Sequence, residues 1–277
     1  MADKMTVALG PVQETLLIPL LGRAESTLAK RPLLADHKAV EIVGKLDYDF
    51  SKWRATKTLV GATIRTRMLD EYVAEFIAEN PAGTVVEIGA GLNTRFERLD
   101  NGVLRWFDLD LPDTIELRSN FFDDSPRRRM IAASVLDTHW FDQVLETGGP
   151  YCFVSEAVLI YLEPDDGQRA VRQLAEAFPD AWLVMDTVPR KMVEEQGKHE
   201  VMKTMSQESW FRWACDDPAS LESSGLNLMA SKSFIDAPEE IVRCLPWPMR
   251  MTLRFAPWLL RRKVEGYRLN RFHLNTE

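Results

Sequence analysis

The stretch TVVEIGAGLNT, residues 84–94, decides the fold class of this chain. A short apolar strand runs directly into two glycines, Gly89 and Gly91, and carries one acid, Glu87, just before them. Glycine suits a turn whose backbone must close on a ligand, because a side chain would hold the two apart. In open α/β sheets, ligands bind outside the carboxyl ends of the strands. The stretch therefore predicts a ligand-binding turn, although a glycine turn without a ligand would have the same sequence.

Two classes of ligand use such a turn. Dinucleotides require G-x-G-x-x-G and place a pyrophosphate on the helix N-terminus, whereas the third position here is Thr94. Glu87 would also place a negative charge near that pyrophosphate. S-adenosylmethionine has no phosphate and has a cationic end, which suits a glutamate beside the glycines. The turn favours S-adenosylmethionine and leaves an NAD-dependent oxidoreductase as the alternative.

The surrounding sequence predicts a parallel sheet. Short apolar runs alternate with helical stretches between residues 84 and 188, and strands that alternate with helices are typical of βαβ units. The predicted strands are TVVEI (84–88), LRWFD (104–108), MIAAS (130–134), YCFVSE (151–156) and WLVMD (182–186). We therefore expect an α/β fold.

Carboxylates recur at the carboxyl ends of these strands. Asp108 and Asp110 end the second strand, Asp137 follows the third and Glu156 ends the fourth. An acid about 20 residues beyond the glycines is expected to bind ribose hydroxyls in NAD and S-adenosylmethionine proteins alike. Packing several carboxylates together without a partner is costly. We therefore expect these acids to surround one shared ligand, although a cap or an ion pair explains any single one.

The flanking segments differ from this centre. Residues 1–80 have helical spacing and end at the breaker Asn80-Pro81-Ala82-Gly83. In the last zone we predict a helical stretch over 190–213 and strands over 227–234 and 267–274. The predicted organisation is an N-terminal helical cap (1–80) and a ligand-binding core (81–277), with 189–250 as a helical lid or insertion.

Composition narrows the class of protein. The 277 residues are 45% hydrophobic and carry a net charge of −8, which argues against a nucleic-acid partner. The three cysteines form no closed disulfide framework and no CxxC pair suggests a metal. Because we find neither a signal peptide nor a membrane span, we expect a soluble cytoplasmic protein with no membrane partner.

The chain resembles the leucine carboxyl methyltransferase superfamily, most closely its bacterial branch related to the tetracenomycin-type polyketide O-methyltransferases. The resemblance covers nearly the whole chain. It rests on ETLLIPLLGRAES (14–26), LDYDFSK (46–52), GATIRTRMLDEYV (61–73), VVEIGAGLNTRFERLDNG (85–102), WFDLDLPDTIELR (106–118), SVLDTHW (134–140), EAVLIYL (156–162) and YRLNRFHL (267–274). It implies a Rossmann-like, seven-stranded class I methyltransferase sheet with extra N-terminal helices and an insertion after strand five.

The resemblance also implies roles for single residues. Arg65 is similar to the arginine that binds the carboxylate of S-adenosylmethionine, and Gly89 to the glycine that contacts its methionine part. Asp110 resembles the ribose-binding acid, with Asp108 as the second candidate. The remaining matches are Leu136 and Asp137 for the adenine edge and Glu156 for the methionine amino group. Two positions depart from the branch: Asn93 stands where aspartate is frequent, and Ala157 where glycine is frequent.

The resulting functional prediction is a cytoplasmic S-adenosylmethionine-dependent O-methyltransferase, acting on a small aromatic or polyketide-like acceptor. The enzyme would hold the acceptor oxygen close to and in line with the methyl group. No residue forms a firm catalytic base, which favours a carboxylate acceptor, since that oxygen is already anionic. For a phenol, His139 or His199 would be the base. A non-catalytic S-adenosylmethionine-binding protein stays a further alternative, and a homo-oligomer is compatible with the sequence.

Overall fold

The computed structural model describes residues 4–7, 9–54, 56–255, 258 and 266–275. Seven strands form one sheet, and two more, of two residues each, form a small parallel pair. The short pair is β1 (Met5–Thr6) and β2 (Leu46–Asp47). The sheet strands are β3 (Thr84–Ile88), β4 (Arg105–Asp110), β5 (Arg128–Ala132), β6 (Tyr151–Ser155), β7 (Trp182–Thr187), β8 (Leu226–Lys232) and β9 (Arg268–Leu274).

The strand order in the sheet is β5-β4-β3-β6-β7-β9-β8. The first five strands of this order are parallel, and β9 is antiparallel to both of its neighbours. All five residues of the central strand β3 are buried, as expected for a parallel strand covered on both faces. The predicted α/β class and seven-stranded sheet are thus confirmed, and the predicted strands match within two residues at each end.

Helices cover both faces of the sheet. On one face α3 packs Tyr72 and Phe76 against the sheet, and on the other α7 packs Val171 and Leu174. The helices are α1 (Leu17–Leu28), α2 (His37–Lys45), α3 (Lys57–Glu79), α4 (Arg95–Leu99), α5 (Pro112–Arg118), α6 (Phe141–Leu145), α7 (Pro164–Ala177), α8 (Arg190–Glu195), α9 (Glu239–Cys244) and α10 (Trp247–Phe255). Across the described residues, none of these helices is long and apolar enough to cross a membrane.

The first 80 residues are mainly helical, as expected. Helices α1 and α2 and the turn before α3 enclose a separate apolar cluster that includes Leu20, Ile42 and Trp53. Helix α3 ends at Glu79, just before the breaker that the sequence shows. Helix α3 lies against the sheet and therefore belongs to the layer that covers the core. The division of the chain into a cap of residues 1–80 and a core stays a prediction.

The segment 189–250 is less helical than we expected. Only α8 continues from residue 190, and short 3-10 turns follow at Gln196–Lys198, Met202–Thr204 and Gln207–Ser209. The chain turns here because the buried side chain of Gln196 binds the backbone of Phe211, and Gly197 lies against the ring of Trp210. Residues 226–232 form β8, which belongs to the sheet, so the segment is not one continuous helical lid.

Candidate functional site

A cavity of about 610 Å³ opens at the carboxyl ends of β3, β4 and β6. This volume lies in the range of small-molecule and cofactor sites. Three parts of the chain enclose it: the strand ends, the N-terminal residues 12–23 with the start of α3, and the segment 192–211. Of the residues predicted from the sequence, the cavity wall contains Arg65, Gly89, Gly91, Asp110, Glu156 and His199.

The glycine turn needs its glycines for conformational and for steric reasons. Gly89 has a φ of +66° and Gly91 a φ of +48°, which L side chains rarely adopt. A Cβ atom on Gly89 would overlap Cγ2 of Val158, which lies in the turn after β6. A side chain at this position would therefore push the two turns apart.

Two buried arginines hold the turn in place. Arg118 Nη1 donates to the carbonyl oxygens of Gly91 (2.8 Å) and Asn93 (2.9 Å), and Arg23 Nη2 donates to that of Leu92 (2.8 Å). Both arginine side chains are almost fully buried. Since hydrogen bonds to charged groups are stronger than neutral ones, these contacts fix the loop that forms the cavity floor.

Asp110 lies at the end of β4 beside this turn. Its Oδ2 accepts a hydrogen bond from Gly91 N (2.7 Å), and its Oδ1 accepts one from Leu111 N (2.7 Å). Burial raises the pKa of Asp110, and these two backbone N–H groups oppose that shift. A carboxylate has about four acceptor positions, so Asp110 keeps acceptor capacity on the cavity side.

Glu156 lies at the centre of a buried charge network. Its Oε1 accepts from Thr66 Oγ1 (2.6 Å) and Arg65 Nε (3.0 Å), and its Oε2 accepts from Arg95 Nη2 (2.6 Å) and Asn93 Nδ2 (3.5 Å). Burial alone would raise the pKa of Glu156, but the two arginines lower it to about 2. Because four donors already surround this carboxylate, an ammonium group could bind it only by replacing one of them.

Glu87 and Asp108 are buried beneath the cavity and do not form its wall. Glu87 pairs with Arg95 and accepts from Asn93 Nδ2 (2.7 Å), whereas Asp108 lies between Arg118 Nη2 (2.9 Å) and Arg128 Nε (2.7 Å). The acids do gather beneath one crevice, but their partners are arginines of the chain itself. The expectation that these acids surround one shared ligand is therefore wrong for Glu87 and Asp108, whose partners are arginines.

The far wall of the cavity is mainly apolar. It contains Met192, Met202, Phe211 and Phe234 from the chain after β7, and Tyr161 from the turn after β6. His199 lies at the rim of this wall, and its Nδ1 accepts a hydrogen bond from Met202 N (3.4 Å). Desolvation by the surrounding segment lowers the pKa of His199, so the imidazole is neutral at neutral pH.

Known proteins with a similar sequence show which family this chain is related to. The family model of leucine carboxyl methyltransferases matches residues 16–175. The tetracenomycin polyketide synthesis O-methyltransferase TcmP of Streptomyces glaucescens is 35% identical over 237 residues, which are 84% of this chain and 87% of the relative.

The chain belongs to the leucine carboxyl methyltransferase family. A second relative of this methyltransferase, the S-adenosyl-L-methionine-dependent methyltransferase dpfgK of Gibberella zeae, is 28% identical over 80% of the chain and 81% of its own length. Among solved structures, N-methyltransferase NodS of Bradyrhizobium japonicum in complex with S-adenosyl-L-homocysteine has the same fold. Its TM-score is 0.51 at 11% identity, over 96% of this chain and all of that one. The cofactor is thus S-adenosylmethionine, and no comparison supports an NAD-dependent oxidoreductase.

Three further sequence candidates lie outside the wall of the methyltransferase cavity. Asp137 and His139 are exposed on the loop after β5, and Leu136 packs against the core. Asp137 Oδ2 accepts a hydrogen bond from Ser134 N (3.0 Å), which closes that loop. Ser134 and Val135, at the start of the same loop, do line the cavity. The adenine-reading role of Leu136 and Asp137 stays a prediction.

Sequence reasoning missed the partners of the predicted residues. Arg95 joins Glu87, Glu156 and Asp70 in one network, with Arg95 Nε 2.7 Å from Asp70 Oδ1. Its position directly after the glycine turn was a usable signal, because an arginine there faces the strand that carries Glu87. Tyr267 and Asp186, which contact Arg65 and Ala157, gave no local signal, since they lie just before β9 and on β7, far along the chain.

Proposed function

We propose that this methyltransferase transfers the methyl group of S-adenosylmethionine to an oxygen atom of a small, largely apolar acceptor. The observation that carries the proposal is one continuous cavity, which joins the glycine turn, Asp110 and Arg65 to the apolar wall of residues 192–211. When bound, the cofactor supplies a methyl group activated by a sulfonium. The chain's own part is to bind and orient the two reactants and to exclude water.

The residues of the cavity fit this cofactor. Asp110 offers acceptor positions for ribose hydroxyls beside a turn whose glycines let the backbone approach closely. Arg65 has a side chain 12% exposed, and its guanidinium uses Nε and Nη1 within the protein, which leaves donor capacity for a carboxylate. We propose Arg65, Gly89, Gly91, Asp110 and Glu156 as the cofactor contacts, with the ammonium group of the cofactor replacing the long hydrogen bond from Asn93 Nδ2 to Glu156 Oε2 (3.5 Å).

We give Glu87 and Asp108 a different role from the one we expected. Both carboxylates form ion pairs with buried arginines, so we propose that they support the turn and the strand end without touching the cofactor. Such partners fix the residues that do the binding, as the surroundings of any precise site must.

The acceptor side favours a carboxylate. Because Nδ1 of His199 accepts the Met202 N–H group, the proton of the neutral imidazole lies on Nε2. His199, which is one of the residues that line the cavity, then carries a hydrogen-bond donor at Nε2 and is not a base. A donor suits an oxygen that is already anionic, whereas a phenol would need a group that takes its proton. His139 is exposed away from the cavity wall and offers no substitute.

The class of acceptor and the setting are part of the same proposal. The name of the Streptomyces relative refers to tetracenomycin polyketide synthesis, which supports a flat, polyketide-like acid. The apolar wall with Phe211 and Phe234 supports the same class, since aromatic side chains bind flat rings well. The net charge of −8 supports a small-molecule partner over nucleic acid. We propose a cytoplasmic setting, and a homo-oligomer stays a prediction.

The test is turnover on matched acceptors. Purified protein and S-adenosylmethionine are incubated with aromatic polyketide-type carboxylic acids and with phenols of the same ring systems, and the products are measured by mass spectrometry. We expect methylated acids whose methyl group mild alkali removes, as it does from an ester. Products with an alkali-stable methyl ether would contradict the carboxylate assignment. Binding of S-adenosylmethionine without turnover on any member of the panel would favour a non-catalytic protein.

A further inference from the structure

Behind the cavity wall, two groups of the wall donate hydrogen bonds to one buried carboxylate, that of Asp186 at the end of β7. Asp186 is only 2% exposed and is not part of the wall. Its Oδ1 accepts from Ala157 N (2.8 Å), and its Oδ2 accepts the hydroxyl proton of Tyr267. The same hydroxyl oxygen accepts from Arg65 Nη1 (3.2 Å). Ala157, Tyr267 and Arg65 all line the cavity, so Asp186 joins three parts of its wall from outside.

Tyr267 carries this connection to Arg65. An arginine side chain loses much rotamer entropy when it is held in one conformation, so its anchors decide how well it is placed. The guanidinium of Arg65 has two such anchors, Glu156 at Nε and Tyr267 at Nη1. Because the hydroxyl proton of Tyr267 points to Asp186, its lone pairs are free to accept from Arg65.

Asp186 also holds the turn after β6. Ala157 has a φ of +52°, a conformation that is unfavourable for any L residue with a side chain. The hydrogen bond from its N–H group to Asp186 stabilises this peptide, which directly follows Glu156. One carboxylate therefore fixes both the turn that presents Glu156 and, through Tyr267, the guanidinium that faces it.

We propose that Tyr267 and Asp186 are positioning residues that hold the Arg65 guanidinium ready for an anionic group in the cavity. The inference rests on the proposed function, in which that group is the carboxylate of S-adenosylmethionine or S-adenosylhomocysteine. It assigns to Tyr267 a contribution to the binding of the amino-acid end of the ligand alone. The nucleoside end, which faces Asp110 and the glycine turn, is bound without its help.

The test compares two ligands and two tyrosines. S-adenosylhomocysteine carries the carboxylate, and 5′-methylthioadenosine has the same nucleoside without the amino-acid part. Tyr267→Phe removes one hydroxyl, and Tyr72→Phe is the matched control. Tyr72 is also buried and donates to Leu269 O (3.4 Å), but it lies outside the cavity wall. Binding constants for both ligands are measured by titration calorimetry.

We expect Tyr267→Phe to weaken S-adenosylhomocysteine binding roughly tenfold, the effect of losing one hydrogen bond to a charged group. Affinity for 5′-methylthioadenosine stays within about twofold of the unmodified protein, and Tyr72→Phe changes neither. In turnover, KM for S-adenosylmethionine rises while kcat changes little. Asp186→Asn, which keeps an acceptor for Ala157 N and loses the charge opposite Tyr267, shows the same selectivity.

Three outcomes would overturn the inference. Equal loss of both ligands in Tyr267→Phe would mean a general structural effect, and unchanged S-adenosylhomocysteine binding would mean that Arg65 needs no such support. If Tyr267→Phe does not fold, Asp186→Asn decides by the same comparison. If the unmodified protein does not bind S-adenosylhomocysteine, the proposed function itself is wrong, and this inference is wrong with it.

Discussion

Asp108 and Asp110 are two residues apart on β4, and the alternation of a strand places both side chains on the same side. Their surroundings nevertheless differ completely. Asp108 is fully buried between Arg118 and Arg128, whereas Asp110 lies at the cavity and accepts only backbone N–H groups. Sequence alone could predict an acid at this strand end. It could not choose between the two by alternation, because the choice depends on where the strand leaves the sheet and on arginines from elsewhere.

This difference predicts opposite effects of two alanine substitutions. Asp110→Ala removes the ribose-facing acceptor but leaves N–H groups beside an open cavity, so we expect a small loss of stability and loss of the thermal protection given by S-adenosylhomocysteine. Asp108→Ala leaves two buried arginines without their anion, so we expect a loss of about 3–5 kcal/mol in the free energy of unfolding. Thermal melting with and without ligand, together with urea unfolding, measures both. A stable Asp108→Ala protein that fails to bind ligand would reverse the assignment.

At the scale of elements, the strands of the parallel sheet were predictable and the cavity wall after β7 was not. Buried parallel strands are short apolar runs bounded by turns, a pattern that survives without tertiary information. The segment 190–213 has helical spacing, but tertiary contacts override it after Glu195. Gln196 Nε2 donates to Phe211 O (3.0 Å), and Gln196 Oε1 accepts from Phe211 N (2.7 Å). One buried amide thus ties the two ends of a loop that a helix would have kept apart.

We predict that this amide holds the acceptor wall. Gln196→Ala leaves the backbone groups of Phe211 without their partner, a loss of roughly 1–3 kcal/mol, and loosens the loop that carries His199 and Met202. KM for the acceptor should rise several-fold while S-adenosylhomocysteine affinity stays unchanged, and hydrogen exchange at Phe211 should accelerate. Gln207→Ala, an exposed change in the same loop, is the matched control and should alter none of these. If Gln196→Ala weakens S-adenosylhomocysteine binding as much as it raises KM for the acceptor, the loop supports the cofactor side of the cavity as well.

At the scale of the whole molecule, the interior holds buried arginines as well as the acids that the sequence pattern indicates. The acids at the strand ends suggested a crevice of carboxylates around one ligand, yet four arginines are buried in the same region: Arg23, Arg95, Arg118 and Arg128. Asn93 belongs to the same balance. It donates to Glu87 and Glu156, whereas the aspartate that is frequent in related sequences could only accept. The resemblance supplied the family and cofactor, but pairing depends on contacts between distant positions.

The buried network predicts how two acids shape stability against pH. Burial raises the pKa of Glu87 to about 7 even though Arg95 opposes the shift, whereas Arg65 and Arg95 overcome burial and lower that of Glu156 to about 2. Both start from 4.5 in the unfolded chain. The folded protein therefore binds the Glu87 proton more tightly, and its contribution is present below pH 4.5 and lost as the pH rises toward 7. Glu156 contributes above pH 4.5 and loses its contribution as the pH falls toward 2.

Urea unfolding at a series of pH values separates the two acids. Between pH 4.5 and 7 the free energy of unfolding of Glu87→Gln should rise relative to the unmodified protein, by up to about 3 kcal/mol, because the glutamine has no proton to lose. Glu156→Gln is the contrast: its difference from the unmodified protein should be flat in that window and change only below pH 4.5. Parallel curves for Glu87→Gln and the unmodified protein through the upper window would mean that Arg95 keeps Glu87 ionised. The buried cluster would then contribute its full ion pairing at every pH above 4.5.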